Sequence, residues 1–541
     1  MDETTSAVIS PGLSPAETLL DRKIKKSPGL IGSLIFGGVL LAGLGYAGFH
    51  LASDISGVHV VSAWPYVLLG LALLIALGFE FVNGFHDTAN AVATVIYTHS
   101  LEPHVAVVWS GTWNLIGVLT SSGGVAFSVL SLLPVELVLQ VGRGAGFAMV
   151  FALLIAAILW NLGTWALGLP ASSSHTLIGS IIGVGIANQL MNGRNGTSGV
   201  DWGQVSNVFR ALLISPLVGF VCAALLLVVL KFLIKDKALY ESPKGDAPPP
   251  FWIRALLILT CTGVSFGHGS NDGQKGMGLI MLILIGVVPT AYALNHAVGF
   301  NQVQDFAAVS EQAANVLSHY VSPDAVMGDA RSDLTEYIRT KEYTSNTPLA
   351  ARQLAIDISH EVQLYKSLAR VPASQQQNVR NDMYVEGEAL RLMAKSAQPG
   401  FTPQETAVIT NYRKHLDTST KFIPGWVKVA VALALGLGTM VGWKRIVVTV
   451  GEKIGKEHLT YAQGASAEII TAATIIAADQ FKMPVSTTHV LSSGVAGTMM
   501  ANGSGLQLST VRNIALAWVF TLPAAALLAG CLFWMLRQFI H

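Results

Sequence analysis

The sequence is poor in charge and in cysteine, and both shortages restrict what the chain can be. Only 12% of its 541 residues are charged and 52% are hydrophobic, whereas a soluble domain carries about twice that share of charge. The net charge of +1 gives no reason to expect nucleic-acid binding, which needs a clustered basic surface. Cys222, Cys261 and Cys531 lie in apolar stretches without the paired spacing of a disulfide framework or a zinc site. We therefore expect lipid as the solvent and no cofactor.

Apolar runs long enough to cross a bilayer, which takes about 20 helical residues, recur throughout the chain. They lie near 29–50, 66–98, 104–133, 147–168, 205–234, 251–298, 425–442, 458–480 and 511–537, with shorter runs near 170–190 and 484–501. The first run follows a polar tail, which is unlike a cleavable signal peptide and predicts a retained helix. The pattern predicts an all-α polytopic membrane protein with about 10–12 membrane segments.

Two kinds of motif each occur twice. The polar runs Asn83–Asp87 and Gly267–Gly273 interrupt long apolar stretches. Because unpaired backbone cannot face lipid, each run predicts a broken helix that lines an enclosed cavity. The runs Pro170–His175 (PASSSH) and Pro484–His489 (PVSTTH) place hydroxyl residues after a proline, which predicts two helical hairpins. An internal duplication of this kind indicates a transporter built from two repeats.

A polar segment separates the two halves of the second copy. Residues 299–423 hold 14 Asp/Glu and 12 Lys/Arg. The two hydroxyl motifs lie farther apart in the sequence than the two polar runs do, and the length of this segment accounts for the excess. We interpret this segment as a soluble, helical insertion. The expected order is an N-terminal tail (1–28), an additional helix and loop (29–65), the first unit (66–234), a cytoplasmic linker (235–250), the start of the second unit (251–298), the insertion (299–423) and the rest of the second unit (424–541).

Basic residues in short loops predict the orientation of the two units. Lysines and arginines cluster before the first apolar run and in the linker: Arg22, Lys23, Lys25, Lys26, Lys231, Lys235, Lys237 and Lys244. Both segments are therefore expected in the cytoplasm. The apolar run near 29–50 crosses the membrane before the first unit, so the first unit starts outside, whereas the second unit starts inside. The two units are thus predicted to be inverted in topology. The same count places the insertion on the outer side of the membrane.

Asp87 and Asp272 are carboxylates within otherwise apolar stretches, where a lone charge costs at least about 2.5 kcal/mol. The two residues share the same sequence context, and acids inside a membrane are functional by default. We predict that both line a substrate site. The alternative is a structural carboxylate that is held by backbone amides or by Lys275.

The hydroxyl motifs predict an anion site. Proline near a helix start leaves backbone amides pointing outward, and a helix N-terminus with hydroxyl groups binds anions. Two such termini would fit a tetrahedral oxyanion, and carboxylates beside it imply an accompanying proton or metal cation. The alternative is ordinary N-capping. The predicted substrate-binding hydroxyl residues are Ser172, Ser173, Ser174, Ser486, Thr487 and Thr488.

Four runs resemble the inorganic phosphate transporter family, most nearly the bacterial low-affinity Pit permeases: Asn83–Asn90, Pro170–His175, His268–Gly276 and Pro484–His489. The resemblance covers both membrane units. It implies an often dimeric secondary transporter of the bacterial inner membrane, which imports inorganic phosphate by alternating access and uses an ion gradient. It also implies carriage of neutral complexes of phosphate with divalent metals such as magnesium, and it adds Asn90 and Asn271 to the expected site.

The coupling ion is predicted from a departure from the family's pattern. Sodium-coupled members of the family tend to have Asn-Asp followed by a second Asn in both copies. In this chain the second copy continues instead with Gln274 and Lys275. Our hypothesis is that Lys275, aligned with Asn90, places an ammonium where sodium would otherwise bind, so that protons drive uptake. His86 is the candidate proton carrier because imidazole changes charge near neutral pH. The alternative is a hydrogen-bonding histidine that merely replaces Asn.

Other functions stay open at this point. A sodium-coupled phosphate symporter and a permease for sulfate or another oxyanion fit the same scaffold. An intramembrane hydrolase could hold a metal with Asp87, Asp272, His86 and His268. Inverted copies serve alternation between two faces, however, and hydrolysis does not need them. We therefore predict a transporter and no enzyme.

Overall fold

A computed structural model describes the fold over residues 29–56, 63–87, 89–139, 144–192, 199–243, 245, 247–326 and 328–540. Within these ranges every regular element is a helix, apart from one isolated bridge between Gly455 and Leu506. The predicted all-α fold is confirmed. The tail 1–28, which contains part of the basic residues used to predict orientation, lies outside the described ranges, and so does Lys244.

Nine helices precede the linker in the described part of the chain. They are α1 (Leu30–Ile55), α2 (Trp64–Asp87), α3 (Ala89–Tyr97), α4 (Pro103–Thr120), α5 (Gly124–Leu130), α6 (Val135–Leu139), α7 (Gly144–Ala166), α8 (Ser173–Asn192) and α9 (Trp202–Leu233). Local sequence explains several of the boundaries. Pro103 occupies the first turn of α4, where a missing amide hydrogen costs nothing. Asp201 caps α9 by accepting a hydrogen bond from the amide of Gln204 at 3.0 Å.

Twelve further helices follow the linker. They are α10 (Phe251–Val287), α11 (Pro289–Tyr292), α12 (Phe300–Ser318), α13 (Ala330–Thr340), α14 (Asn346–Tyr365), α15 (Ala373–Ser396), α16 (Pro403–Thr420), α17 (Gly425–Thr439), α18 (Lys444–Val448), α19 (Tyr461–Gln480), α20 (Thr487–Asn502) and α21 (Leu508–Leu536). A π-helical turn, Thr449–Lys453, follows α18 directly.

Six described helices are long and apolar enough to cross a membrane, or up to eight if each of two bent helix pairs counts as one span. The bent pairs are α4 with α5, at 78°, and α16 with α17, at 75°. The predicted number of about 10–12 segments also included shorter or more polar helices such as α8 and α20. This higher number stays a prediction. The outer helices expose their apolar side chains, as in α9, where Leu217 is 63% and Phe232 is 76% exposed. Soluble proteins seldom expose such extended apolar surfaces.

The helices of the two predicted units pack in matching pairs. α8 packs against α21, and its counterpart α20 packs against α9. In the same way, α2 packs against α17 and α10 packs against α4. Each last helix of a unit carries an internal proline, Pro216 in α9 and Pro523 in α21. An internal duplication predicts this exchange of partners, while the inverted orientation of the units stays a prediction.

Glycines set the distance within two of these helix pairs. A Cβ atom on Gly84 of α2 would lie 2.2 Å from the carbonyl oxygen of Leu435 in α17. A Cβ atom on Gly269 of α10 would lie 2.1 Å from the carbonyl oxygen of Asn114 in α4. Since atoms cannot approach so closely, only glycine allows these helix axes to come together. The glycines of both polar runs are therefore packing residues.

The break predicted in the second polar run is wrong. α10 continues without interruption through Gly267–Gly273. The polar side chains of this run find partners on neighbouring helices, so the backbone keeps its own hydrogen bonds and no interruption is needed. In the first copy, α2 ends at Asp87 and α3 begins at Ala89, and residue 88 lies outside the described residues.

Helices α12–α16, which lie within residues 299–423, share a core of their own. Its buried side chains include Phe306, Leu334, Leu354, Leu390 and Leu416. Asp201 links this group of helices, the predicted insertion, to the predicted first unit, because its carboxylate lies 3.2 Å from Arg391 of α15. Although burial raises the pKa of Asp201, the Gln204 amide, Lys341 and Arg391 together lower it below its ordinary value. The carboxylate is therefore held in its charged form at this junction.

Candidate functional site

Asp87 ends α2 with its carboxylate buried among donors from other helices. Oδ1 accepts a hydrogen bond from Thr488 Oγ1 at 2.9 Å and lies 2.9 Å from His86 Nδ1. Oδ2 accepts a hydrogen bond from Ser173 Oγ. Ser173 begins α8 in the first hydroxyl motif, and Thr488 belongs to the second. One carboxylate therefore contacts both motifs.

Asp272 lies in the middle of α10 and forms an ion pair within the same helix. Lys275 Nζ, one turn later, is 2.5 Å from Asp272 Oδ1, and His268 Nε2, one turn earlier, is 3.4 Å from Oδ2. Lys275 Nζ also donates a hydrogen bond to Ser174 Oγ of the first hydroxyl motif. All these side chains are buried. Because an unpaired charge is costly there, the ammonium and the carboxylate stabilise each other.

The two hydroxyl motifs contact each other directly. Ser174 Oγ donates a hydrogen bond to the carbonyl oxygen of Val485 at 3.1 Å. The rings of His175 and His489, which end the two motifs, have centroids 4.4 Å apart. Helices α8 and α20 both begin in these motifs, so the positive ends of two helix dipoles lie close together.

The hydroxyl groups divide between capping and other contacts. Ser172 Oγ accepts a hydrogen bond from the His175 amide, and Ser486 Oγ accepts one from the His489 amide, each at 3.2 Å. These two serines therefore act as N-caps. Thr487 Oγ1 is buried and has no hydrogen-bond partner among the described residues. Buried hydroxyls are nearly always hydrogen-bonded, so Thr487 has a donor to offer a bound anion.

Asn271 and Gln274 connect α10 to the chain that leads into the second hydroxyl motif. Asn271 Nδ2 donates to the carbonyl oxygen of Met483 at 3.2 Å, and Gln274 Nε2 donates to Asp479 Oδ1 at 2.6 Å. These contacts hold the second hydroxyl motif against α10. The side chain of Asn90, the remaining predicted site residue, lies outside the described part of the structure.

Three polar residues that the sequence did not single out complete the cluster. Thr164 Oγ1 lies 3.1 Å from His86 Nε2, and Asn114 Oδ1 lies 2.7 Å from His268 Nδ1. Asp479 is the acceptor for Gln274. Thr164 and Asn114 are isolated polar residues within apolar helices, which is a weak signal by itself because threonine and asparagine also occur there as helix-packing residues.

Ligand atoms of Asp87, His268 and Asp272 lie within 4.8 Å of one another. Carboxylate oxygens suit hard cations, and an imidazole nitrogen suits transition metals. One small cation between these three groups would therefore have suitable ligands. It would share the space with the ammonium of Lys275.

Two further buried acids lie close to this cluster. Glu80 lies about two turns before Asp87 on α2, and its Oε2 accepts a hydrogen bond from Asn83 Nδ2 at 3.4 Å. Glu468 accepts hydrogen bonds from Thr94 and Thr260. Glu80 therefore borders the cluster, whereas Glu468 joins α19 to α3 and α10.

Known proteins match this chain over most of its length. The low-affinity inorganic phosphate transporter PitA of Escherichia coli K12 is 43% identical over 491 residues, which cover 88% of this chain and 97% of PitA. PitB of the same organism is 41% identical with the same coverage. The probable low-affinity inorganic phosphate transporter of Bacillus subtilis 168 is 28% identical over 476 residues, 87% of this chain and 99% of that protein.

Comparison with solved structures gives a more distant match. A sodium-dependent phosphate transporter covers 88% of this chain and 100% of its own, with a TM-score of 0.48 and 19% identity. The sequence profile of the phosphate transporter family matches residues 83–529, from the first polar run into α21. Because the match includes all four motifs and the relatives are similar over nearly their full length, the chain belongs to the phosphate transporter family.

Proposed function

We propose that this protein imports inorganic phosphate into a bacterial cell across the inner membrane by proton symport. Phosphate enters the proposal from the family and from the names of the relatives. The observation that carries the mechanism is the convergence of Ser173 and Thr488 on Asp87. It brings a hydroxyl from each predicted unit to one carboxylate, as a single site shared by both units requires.

The phosphate would bind where the two hydroxyl motifs meet. Amides at the starts of α8 and α20 favour an anion there, and the unpartnered hydroxyl of Thr487 adds a donor. Several donors around one point suit phosphate, since each of its oxygens accepts hydrogen bonds. The hydroxyl groups of Ser173 and Thr488 would turn from Asp87 towards the substrate as it binds.

Proton coupling is supported by the contacts of Lys275 and His86. Lys275 places an ammonium between Asp272 and Ser174, which is the region where a sodium ion would otherwise compensate the carboxylates. His86 lies between Asp87 and Thr164, and imidazole is a side chain that can accept and release a proton. A proton carried by His86 or by a neighbouring carboxylate would lower the negative charge of the site when phosphate enters.

A divalent metal would travel with phosphate as a neutral pair. Asp87 and Asp272 would repel a bare phosphate dianion, whereas a metal between the carboxylates and phosphate would attract both. The spacing of Asp87, His268 and Asp272 suits one such cation, which is cargo in this proposal. Alternating access would follow from movement of the two units against each other, because their helices pack in matching pairs.

Uptake of labelled phosphate by proteoliposomes tests the proposal. The pH gradient, sodium and magnesium are varied separately, and excess sulfate is added as a competitor. We expect uptake that rises with an inward proton gradient, that is indifferent to sodium, that falls when divalent metals are chelated, and that resists sulfate. Sodium-dependent uptake insensitive to pH would contradict proton coupling, and strong competition by sulfate would contradict selectivity for phosphate.

A further inference from the structure

A cavity of about 1070 Å³ lies between the insertion and the membrane units. Residues of α15 and α16 form one wall, and residues at the start of α5 and α9 form the other. The run 481–484, which leads into the second hydroxyl motif, also lines the cavity, and we call this side of the cavity its inner end. Pro484 is also the first residue of the second hydroxyl motif. The cavity therefore extends from the insertion to the edge of the candidate site.

Most of the charged residues that line the cavity are cations, and we call it the basic cavity. Its charged lining residues are Arg210, Arg391, Arg413, Lys414, Lys421 and Lys482, together with the acids Glu388 and Asp417. Both acids are already paired, Glu388 with Arg391 at 2.7 Å and Asp417 with Lys421 at 2.6 Å. Among the described residues, the other four cations form no ion pair. Such an excess of positive charge in a concave space raises the local concentration of anions.

Lys482, at the inner end, has an unusual backbone conformation for a lysine. Its φ is 56°, in the left-handed region, where the residue ends α19 by donating its amide to the carbonyl oxygen of Asp479 at 3.0 Å. Glycine is the usual residue at such a position. The first unit has glycine there: Gly168, with φ 67°, ends α7 with the same kind of hydrogen bond and stands two residues before Pro170.

Lys482 therefore occupies a position whose backbone conformation favours glycine. The left-handed conformation is unfavourable for a residue other than glycine, because the Cβ atom then lies too close to the backbone. The side chain of Lys482 extends over the start of α5, because a Cβ atom on Gly124 would lie 2.7 Å from Lys482 Cγ. It remains exposed to the basic cavity. Its charge is thus kept two residues before Pro484, where the second hydroxyl motif begins.

We propose that the basic cavity is the vestibule through which inorganic phosphate approaches the site, and that Lys482 captures the anion at its inner end. This inference rests on the proposed function. The insertion would serve transport by supplying half of the vestibule, including Arg413, whose Nε is buried without a hydrogen-bond partner in the described structure. Lys482 would act before the substrate reaches the hydroxyl motifs, so its charge would affect capture more than translocation.

The test is Lys482→Gly, assayed by uptake of labelled phosphate into proteoliposomes at low and high ionic strength. Glycine relieves the left-handed strain while removing the charge, so folding is preserved or improved. We expect KM at low ionic strength to rise about 3- to 10-fold with little change in maximal rate. The difference should shrink at high salt, because screening weakens the attraction. Lys482→Arg, which keeps the charge, should retain the KM of the unaltered protein.

Lys366→Gly is the matched control. Lys366 ends α14 in the same left-handed conformation, with φ 59°, and it is exposed away from the basic cavity. It should leave both KM and its salt dependence unchanged. A KM for Lys482→Gly equal to that of Lys366→Gly, beside normal uptake and thermal stability, would overturn the vestibule and leave the proposed function standing. Absence of phosphate uptake by the unaltered protein would contradict the proposed function itself.

Discussion

Thr488, at the start of α20, donates a hydrogen bond to Asp87, at the end of α2, over 2.9 Å. The two residues belong to different predicted units and to different kinds of motif. Ser173 reaches the other oxygen of the same carboxylate, so Asp87 is held by the N-terminal regions of α8 and α20 together. Any movement of one unit against the other must keep, exchange or break these bonds. Substrate that takes over the hydroxyl donors would change the balance between such states.

Asp87→Asn should abolish most transport while the protein still folds. Ser173 and Thr488 each donate to one oxygen of the Asp87 carboxylate, whereas the amide of asparagine has only one oxygen and no charge. Hydrogen bonds to a charged group are stronger than those to a neutral group. We expect the initial rate of phosphate uptake to fall about 100-fold or more. Asp324→Asn, which neutralises an exposed acid on the insertion, is the control. An uptake rate of Asp87→Asn within twofold of that control would show that Asp87 is not part of the transport site.

Lys275→Asn should change the ion dependence of uptake. Loss of the ammonium leaves Asp272 buried without its partner at 2.5 Å, which is strongly unfavourable unless another cation replaces it. We expect sodium-free uptake to fall about 10-fold or more, and added sodium to restore part of it. Lys366→Asn, which removes an exposed lysine, should remain insensitive to sodium. The hypothesis fails if Lys275→Asn keeps the pH profile of the unaltered protein and ignores sodium.

The sequence singled out polar residues that the structure brings together, but it did not predict the backbone conformation of the second polar run. The duplicated motifs predicted that residues of both copies share one site, and Ser173 of the first hydroxyl motif and Thr488 of the second, which are not at equivalent positions, both contact Asp87. The run Gly267–Gly273 also suggested a broken helix, because glycine and polar residues are typical of breaks. Whether such a run stays helical depends on partners elsewhere in the chain, such as Asn114 for His268, and a local pattern does not contain them.

The contacts that the insertion makes with the other helices could not be predicted from local sequence patterns either. Polar composition predicts that residues 299–423 leave the membrane, but it does not predict which residues of the other helices they contact. Asp201 and Arg391, which make this junction, are ordinary surface residues in the sequence. The basic cavity likewise combines residues from helices far apart in the chain, so only the packed structure brings its charges together.

Gly84→Ala should damage the packing of α2 against α17. The added methyl group would lie 2.2 Å from the carbonyl oxygen of Leu435, which is backbone and cannot turn away. Overpacking of this kind costs about 1–3 kcal/mol or more, and we expect a lower melting temperature and less monodisperse protein in detergent. Gly78→Ala, on the same helix with open space around its Cβ position, is the control and should cause no loss. Equal stability of the two variants would disprove the close approach.

Glu361→Gln should stabilise the insertion at alkaline pH. Burial, helped by Asp382 and Asp357, raises the pKa of Glu361 from its ordinary value of 4.5 to about 7. The folded state therefore binds the proton more tightly than the unfolded state, and stability falls as pH rises from 4.5 through 7. Because Glu361 is only half-buried, we expect a gain of about 1 kcal/mol for the variant at pH 8 and little difference at pH 5. Thermal unfolding at a series of pH values measures this, with the exposed Glu342→Gln as control. A stability difference that does not change between pH 5 and pH 8 would show that the proton on Glu361 is not responsible.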